Sequence, residues 1–334
     1  MKITLKEVAK KAGVTPATVS LVLSGNPRIS PETKKQVLKA VKTLGYRPNA
    51  AARSLAGGRT GVIAVAAVSF SSWYELTLLR GIEAALQKTN YSLLQQPTYG
   101  NKKFEAEFLR SLAEDNRADA LITIGLKMPE TAVKKFASAG RAYVSVGEKT
   151  KNFPCVSFDD YYGAYDAVSY LASLGRKKIA IIAGRSTKEY PATDAEQRLK
   201  GYAAAIADAG LDFDTSLAAR ADNYYFEEGI KCFKEILNKN SGIDALFCAA
   251  GDTCAIGVIK EARNRRIRIP EDIALIGYDD IEMSQAVLPE LTTVRQPVYD
   301  AGVKSFEMAV CCIQTGKKPA DALFGTKLIK RKSA

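Results

Sequence analysis

Lys2, Lys6, Lys10, Lys11, Arg28, Lys34, Lys35, Lys39, Lys42, Arg47, Arg53 and Arg59 stand against only Glu7 and Glu32 in the first 60 residues. The other 274 residues hold 36 basic against 34 acidic side chains, so the net charge of +12 is concentrated at one end. A basic module on a nearly neutral body expects a polyanion as its partner. Catalytic chemistry is poorly provided for by comparison. There is no histidine, which removes Ser-His and Cys-His nucleophile activation and the H-E-x-x-H metalloprotease helix. Cys155, Cys232, Cys248, Cys254, Cys311 and Cys312 form no C-x-x-C pair and read as reduced, buried apolar residues. No phosphate loop or paired-carboxylate motif is present, so neither an enzyme, nor a cofactor, nor a metal site is expected.

The basic segment must be shaped to present its charge. Thr4-Leu5-Lys6-Glu7 reads as a capping box opening a helix at Leu5, with Leu5, Val8, Ala9 and Ala12 on one face and Gly13 ending it. Thr15 as N-cap and Pro16 at the first helical position start a second helix that runs to about Leu23. Ser24-Gly25-Asn26-Pro27 breaks that helix, and Ser30-Pro31 opens a third, with Val37, Leu38, Val41 and Leu44 inward and Gly45 closing it. Two short helices joined by a tight turn and buttressed by a third make a helix-turn-helix. In the second helix Val19 and Val22 point inward by spacing. Thr15, Pro16, Ala17, Ser20 and Leu21 are left on an outer face of the kind that enters a major groove. Asn49 caps one more short segment, Ala50 to Ala56, too short to be a stable helix alone.

From Val62 onward apolar strands alternate with amphipathic helices. Strands are expected at 62–68, 92–95, 120–124 and 142–146, with helices at 75–89, 104–113 and 130–139. A second series follows, with strands at 178–183, 245–249 and 273–278 and helices at 162–174, 197–209, 225–237 and 253–263. Two such series imply two doubly wound parallel-sheet lobes with a cleft at the C-terminal ends of their strands. No secretory segment and no run of the roughly 18 to 20 apolar residues needed to span a bilayer is seen, so the protein is expected in the cytoplasm.

The run TLKEVAKKAGVTPATVSLVLSG, followed by SPETKKQVLKAVKTLGYRPNAAARSL, resembles the DNA-binding headpiece of the lac repressor family over nearly all of residues 2–60. The body, through LLRGIE, AGRSTKEYPATDAEQRLKGY, IRIPEDIALIGYDD and LTTVRQP, is similar to the periplasmic-binding-protein-like sensor that this family uses. The resemblance implies a headpiece over 1–48, a hinge helix and linker over 49–60, and a sensor over 61–334. Within the sensor it implies one lobe of about 61–160 plus 292–322 and another of about 161–291 plus 323–334.

It also implies roles. Thr15, Pro16, Ala17, Ser20 and Leu21 become base-reading residues, although Leu21 cannot make the bidentate guanine contact of an arginine, so relatives do not predict the operator. Thr4, Asn26, Ser30, Thr33, Tyr46 and Asn49, with Ser20, become phosphate-positioning residues. Ala52, Arg53 and Leu55 become a minor-groove hinge, with Leu55 the wedge between base steps. In the cleft, Arg198 and Asp279 become the charged pair that meets an effector, or else a structural ion pair; Trp73, Tyr74 and Tyr224 become aromatic walls, or else core and rim residues. Gly251 departs from the pattern, standing where sugar-responsive relatives usually carry Asn, while Asp252 either meets ligand or caps the helix at Thr253.

The function implied is a regulator, of the repressor kind, that binds a pseudo-palindromic DNA operator as a homodimer under a small-molecule effector of the sugar class. A regulator answering to a nucleobase or a protein corepressor, a sugar-transport protein and an α/β enzyme are the rivals. The first is kept open by Gly251. The transport protein would lack a use for the basic headpiece.

Overall fold

The capping box forms. The Thr4 hydroxyl accepts from Glu7 N at 3.4 Å, and the Glu7 carboxylate accepts from Thr4 N at 2.6 Å. It belongs to a computed structural model that describes residues 3–23, 28–46, 59–186, 192–212, 214–240 and 242–334. The chain divides into two units, Met1–Thr60 and Gly61–Ala334. In the first, α1 (Leu5–Ala12), α2 (Pro16–Leu23) and α3 (Pro31–Leu44) enclose a small core of Val8, Ala9, Val19, Val22, Val37, Ala40 and Tyr46. Ser30 caps α3 through Thr33 N at 3.2 Å, and Gly13 and Gly45 end α1 and α3 in the left-handed region. One expected core position fails. Leu38 is 53% exposed and Ala40 takes the inward place, because a helix turns 100° per residue and Val37 and Leu38 cannot share the one narrow buried stripe.

The second unit holds two six-stranded sheets. The first is ordered β11-β5-β4-β3-β1-β2, from β1 (Val62–Ala67), β2 (Ser92–Pro97), β3 (Ala120–Ile124), β4 (Ala142–Val146), β5 (Cys155–Phe158) and β11 (Ala322–Phe324). The second is ordered β12-β10-β9-β8-β6-β7, from β6 (Ile179–Ala183), β7 (Ala218–Arg220), β8 (Ala245–Cys248), β9 (Ala274–Asp279), β10 (Thr292–Arg295) and β12 (Lys327–Ile329). Every pairing is parallel except that of β10 with β12. Both faces are covered, as parallel sheets require. Ile63, Val65 and Ala67 of β1 enter one core while Ala64 and Ala66 enter the other, and β6 divides its residues in the same alternating way.

Helices α4 (Trp73–Leu86), α5 (Lys102–Glu114) and α6 (Glu130–Ser138) follow strands of the first sheet. Helices α7 (Asp160–Ser173), α8 (Thr193–Asp208), α9 (Phe226–Lys239) and α10 (Asp252–Asn264) serve the second. The long α11 (Val298–Thr315) returns to the first sheet and packs on α4. The chain thus passes between lobes after Phe158, after Arg295 and after Phe324. The second passage follows Arg295 rather than Leu291, because Thr292–Arg295 hydrogen-bonds beside β9, and the third follows Phe324 because Ala322–Phe324 pairs with β5. Two crossing segments are tied together: Asp159 N donates to Phe324 O at 2.9 Å and the Thr326 hydroxyl donates to Asp159 O at 3.2 Å.

Candidate DNA interface and effector cleft

In the headpiece, the Thr15 hydroxyl caps α2 by accepting from Thr18 N at 3.1 Å, so the helix starts with its first turn fixed. Val19 and Val22 anchor it to the core. The opposite side carries Thr15, Pro16 and Ala17, all exposed, together with Leu21 at 41% exposure and the half-buried Ser20. The five residues expected to read bases therefore share one accessible face. Lys6, Lys10, Lys11, Arg28, Lys35, Lys39 and Lys42 are also exposed in this unit.

The positions expected to touch phosphate are more varied. Thr4 and Ser30 are engaged as helix caps, and Thr33 bonds to the Ser30 hydroxyl at 2.9 Å. Tyr46 lies in the headpiece core at 8% exposure. Asn26, Asn49, Ala52, Arg53 and Leu55 lie outside the described residues.

In the sensor, residues that follow strands of the two sheets meet, Thr193 N donating to Glu148 at 2.7 Å. Tyr74, following β1, packs edge-on against Phe158 at 6.3 Å. Desolvation pushes its phenol well above the usual tyrosine range, reinforced by Asp194 and Asp160 from the other lobe. Trp73 is half-buried against the first lobe's core. Tyr224 remains 41% exposed, and its hydroxyl lies so near Gly184 that a Cβ there would approach within 3.2 Å.

Arg198 and Asp279 form no direct ion pair among the described residues. Arg198 donates from Nε to Asp160 at 2.8 Å and from Nη1 to the Ala249 carbonyl at 2.9 Å, with Asp194 at 3.7 Å. Its guanidinium sits 3.7 Å over the Tyr278 ring, and the Tyr278 hydroxyl donates to Asp160 at 3.1 Å. The carboxylate holding Arg198 is thus Asp160, at the start of α7. Burial raises the Asp160 carboxyl while Arg198 opposes the rise. Asp279 instead accepts from Gln296 Nε2 at 3.2 Å, and its carboxyl is pushed well up by desolvation against the pull of Arg198.

Asp252 neither caps its helix nor opens to the cleft. It is fully buried as the first residue of α10, accepting from Ile281 N at 3.1 Å and from the Ser284 and Thr293 hydroxyls at 2.6 Å each. Three donors converging on one carboxylate pin the loop after β9 to β10. The helix N-cap is Gly251, in a positive-φ conformation.

Sequence reasoning also missed Glu148, Asp160, Asp194 and Gln296. Asp194 precedes Arg198 by one helical turn and could have been found by that spacing. Nothing local marks the others, whose neighbours come from distant segments. Among the described residues no group of three or more Cys, Asp and Glu side chains is gathered as if for a metal, and no helix is long and apolar enough to cross a membrane.

Residues 4–49 match the family model "Bacterial regulatory proteins, lacI family", and residues 168–334 match a periplasmic binding protein-like domain. Catabolite control protein A from Priestia megaterium is 33% identical over 310 residues, covering 92% of each chain. Among solved structures, a transcriptional regulator CelR–cellobiose complex matches with a TM-score of 0.73 at 26% identity over the full length of both chains. The lac repressor dimer bound to operator matches with a TM-score of 0.84 at 23% identity, covering 100% of this chain and 99% of that one, a likeness of fold.

Proposed function

The chain belongs to the lacI family of bacterial regulatory proteins, and on that premise we propose a division of labour among its residues. It is a DNA-binding transcriptional regulator. Thr15, Pro16, Ala17, Ser20 and Leu21 read the major groove, Leu21 and Ala17 through apolar contact such as with a thymine methyl. The surrounding lysines and Arg28, with Thr4, Ser30 and Thr33, hold the headpiece on phosphates. Asn26, Tyr46, Asn49 and the hinge residues Ala52, Arg53 and Leu55 complete the interface. Two chains bind a pseudo-palindromic operator as a repressor in the cytoplasm, and no catalytic step is assigned.

The observation that carries this reading is the exposed face of α2, capped at Thr15, keyed into the core by Val19 and Val22, and set in the most basic part of the chain. Between the sensor lobes, a small molecule of the sugar class binds among Trp73, Tyr74, Arg198, Tyr224 and Asp279. It shifts DNA affinity by its differential affinity for two lobe arrangements. The CelR relative is solved with cellobiose, which supports the class.

The test is a pair of variants on one operator. Leu21→Ala, which removes apolar contact, should weaken specific binding by about 1 kcal/mol or more while leaving nonspecific binding in place. Lys10→Ala should weaken both and lower the salt dependence by about one counterion. If Leu21→Ala weakened specific and nonspecific binding alike, α2 would not be the reading helix.

A further inference from the structure

Each nitrogen of Arg198 already faces a protein acceptor: Nε the Asp160 carboxylate, Nη1 the Ala249 carbonyl and Nη2 the Asp194 carboxylate. At 7% side-chain exposure, this guanidinium has little left to offer a ligand. What the cleft presents is acceptors. Gln296, 3% exposed, gives its amide nitrogen to Asp279 Oδ1 and keeps Oε1 buried without a hydrogen-bond partner among the described residues. Turning the amide round would place its oxygen against a carboxylate oxygen, so the orientation is set by Asp279.

Gly251 adds a second acceptor. A Cβ at this position would stand 2.7 Å from Asp279 Oδ2, so glycine leaves that oxygen uncovered on this side. The Asp194 carboxylate, 40% exposed, is a third. Asp160, Asp194 and Asp279 thus all act on one guanidinium. Tyr224, 41% exposed, offers an aromatic ring of the kind that favours a cation.

We propose that the ligand of this cleft carries a protonated amine, held by Asp279, Gln296 Oε1 and Asp194, on a polyhydroxylated ring of the amino-sugar class. The proposal rests on the reading of the cleft as the effector site. Gly251 leaves room beside Asp279 Oδ2 for such a donor.

The full chain is melted with matched sugars, glucosamine, glucose and glucuronate beside galactosamine, galactose and galacturonate, for the wild type and for Asp279→Asn, Asp194→Asn and Tyr224→Ala. An amine should raise the melting temperature, bind at least about tenfold more tightly than its neutral counterpart, and lose that preference in Asp279→Asn and Asp194→Asn. The second of these alters a half-exposed side chain and keeps the test available if the first folds poorly. A neutral or acidic sugar binding as tightly as the amine, with binding lost in Tyr224→Ala, overturns the amine assignment and leaves the cleft as the effector site. No shift with any of the six overturns the proposal together with the sugar reading of the cleft.

Discussion

Glu148 and Thr193 join the two sensor lobes. Glu148 follows β4 of the first lobe, and its two carboxylate oxygens accept from the backbone N–H and the hydroxyl of Thr193, the first residue of α8 in the second, at 2.7 and 3.0 Å. A carboxylate at a helix N-terminus is favoured by the unpaired N–H groups there, and Glu148 is only 4% exposed. The contact links the two lobes, so a change in the angle between them must break or strengthen it.

Glu148→Ala should therefore lower the stability of the sensor by about 1–3 kcal/mol, the worth of hydrogen bonds to a charged, buried acceptor. Glu148→Gln, which keeps one acceptor, should cost less. Urea denaturation of the two variants checks the order. Equal effects would mean that the contact does not hold the lobes.

Asp252 gives a pH dependence with a defined sign. Burial pushes its carboxyl up to about 7, despite three donors that oppose the rise. The folded state then holds a proton that the unfolded state releases near its ordinary value of 3.8. This contribution to stability is full below about pH 4 and is lost as the pH rises through about 7. Asp252→Asn cannot titrate, so the wild type should gain stability relative to this variant on moving from neutral to acidic pH. Denaturation curves of both proteins at several pH values measure the difference, and a difference growing in the other direction contradicts the assignment.

Gly81 on α4 and Gly302 on α11 let two helices approach closely. A Cβ on Gly81 would meet Tyr299 O at 2.1 Å, and one on Gly302 would meet Leu78 O at 2.2 Å. Backbone atoms cannot swing aside, so the helices must part. Gly302→Ala should cost about 1–3 kcal/mol or more, as overpacked cores do. A variant as stable as the wild type would show that the helices separate without loss.

The capping box makes a local prediction. Thr4→Ala should destabilise α1 by about 0.5–2 kcal/mol. Hydrogen exchange of the α1 amides in the full chain should quicken, with little change in the sensor strands.

The headpiece was legible because its signals are local. Thr4, Thr15-Pro16, Ser30-Pro31, Gly13 and Gly45 act on neighbouring backbone, and the helices begin and end where those residues place them. The long strands of the sensor were legible from apolar runs such as Val62–Ala67 and Ile179–Ala183. The short ones were not: Ala218–Arg220, Ala322–Phe324 and Lys327–Ile329 hold three residues each, and only their pairing with distant strands makes them strands. The cleft was half legible. Arg198 and Asp279 could be nominated from their sequence surroundings, but the carboxylate on Arg198 came from Asp160, 38 residues away, and the amide on Asp279 from Gln296 beyond the next strand. Exposure separated Leu38 from Val37 where helical spacing alone had grouped them.

The proposed reading of a specific DNA sequence by the exposed face of α2 is open to direct test. The most direct measurement is selection of the full-length protein, at fixed salt, on a pool of random duplexes, followed by sequencing of the retained DNA. The expected result is a pseudo-palindrome with a central step suited to kinking, and a loss or change of the half-site bases when Leu21 is replaced by alanine. Retention that is weak, salt-sensitive and without sequence preference would contradict it for the chain acting alone.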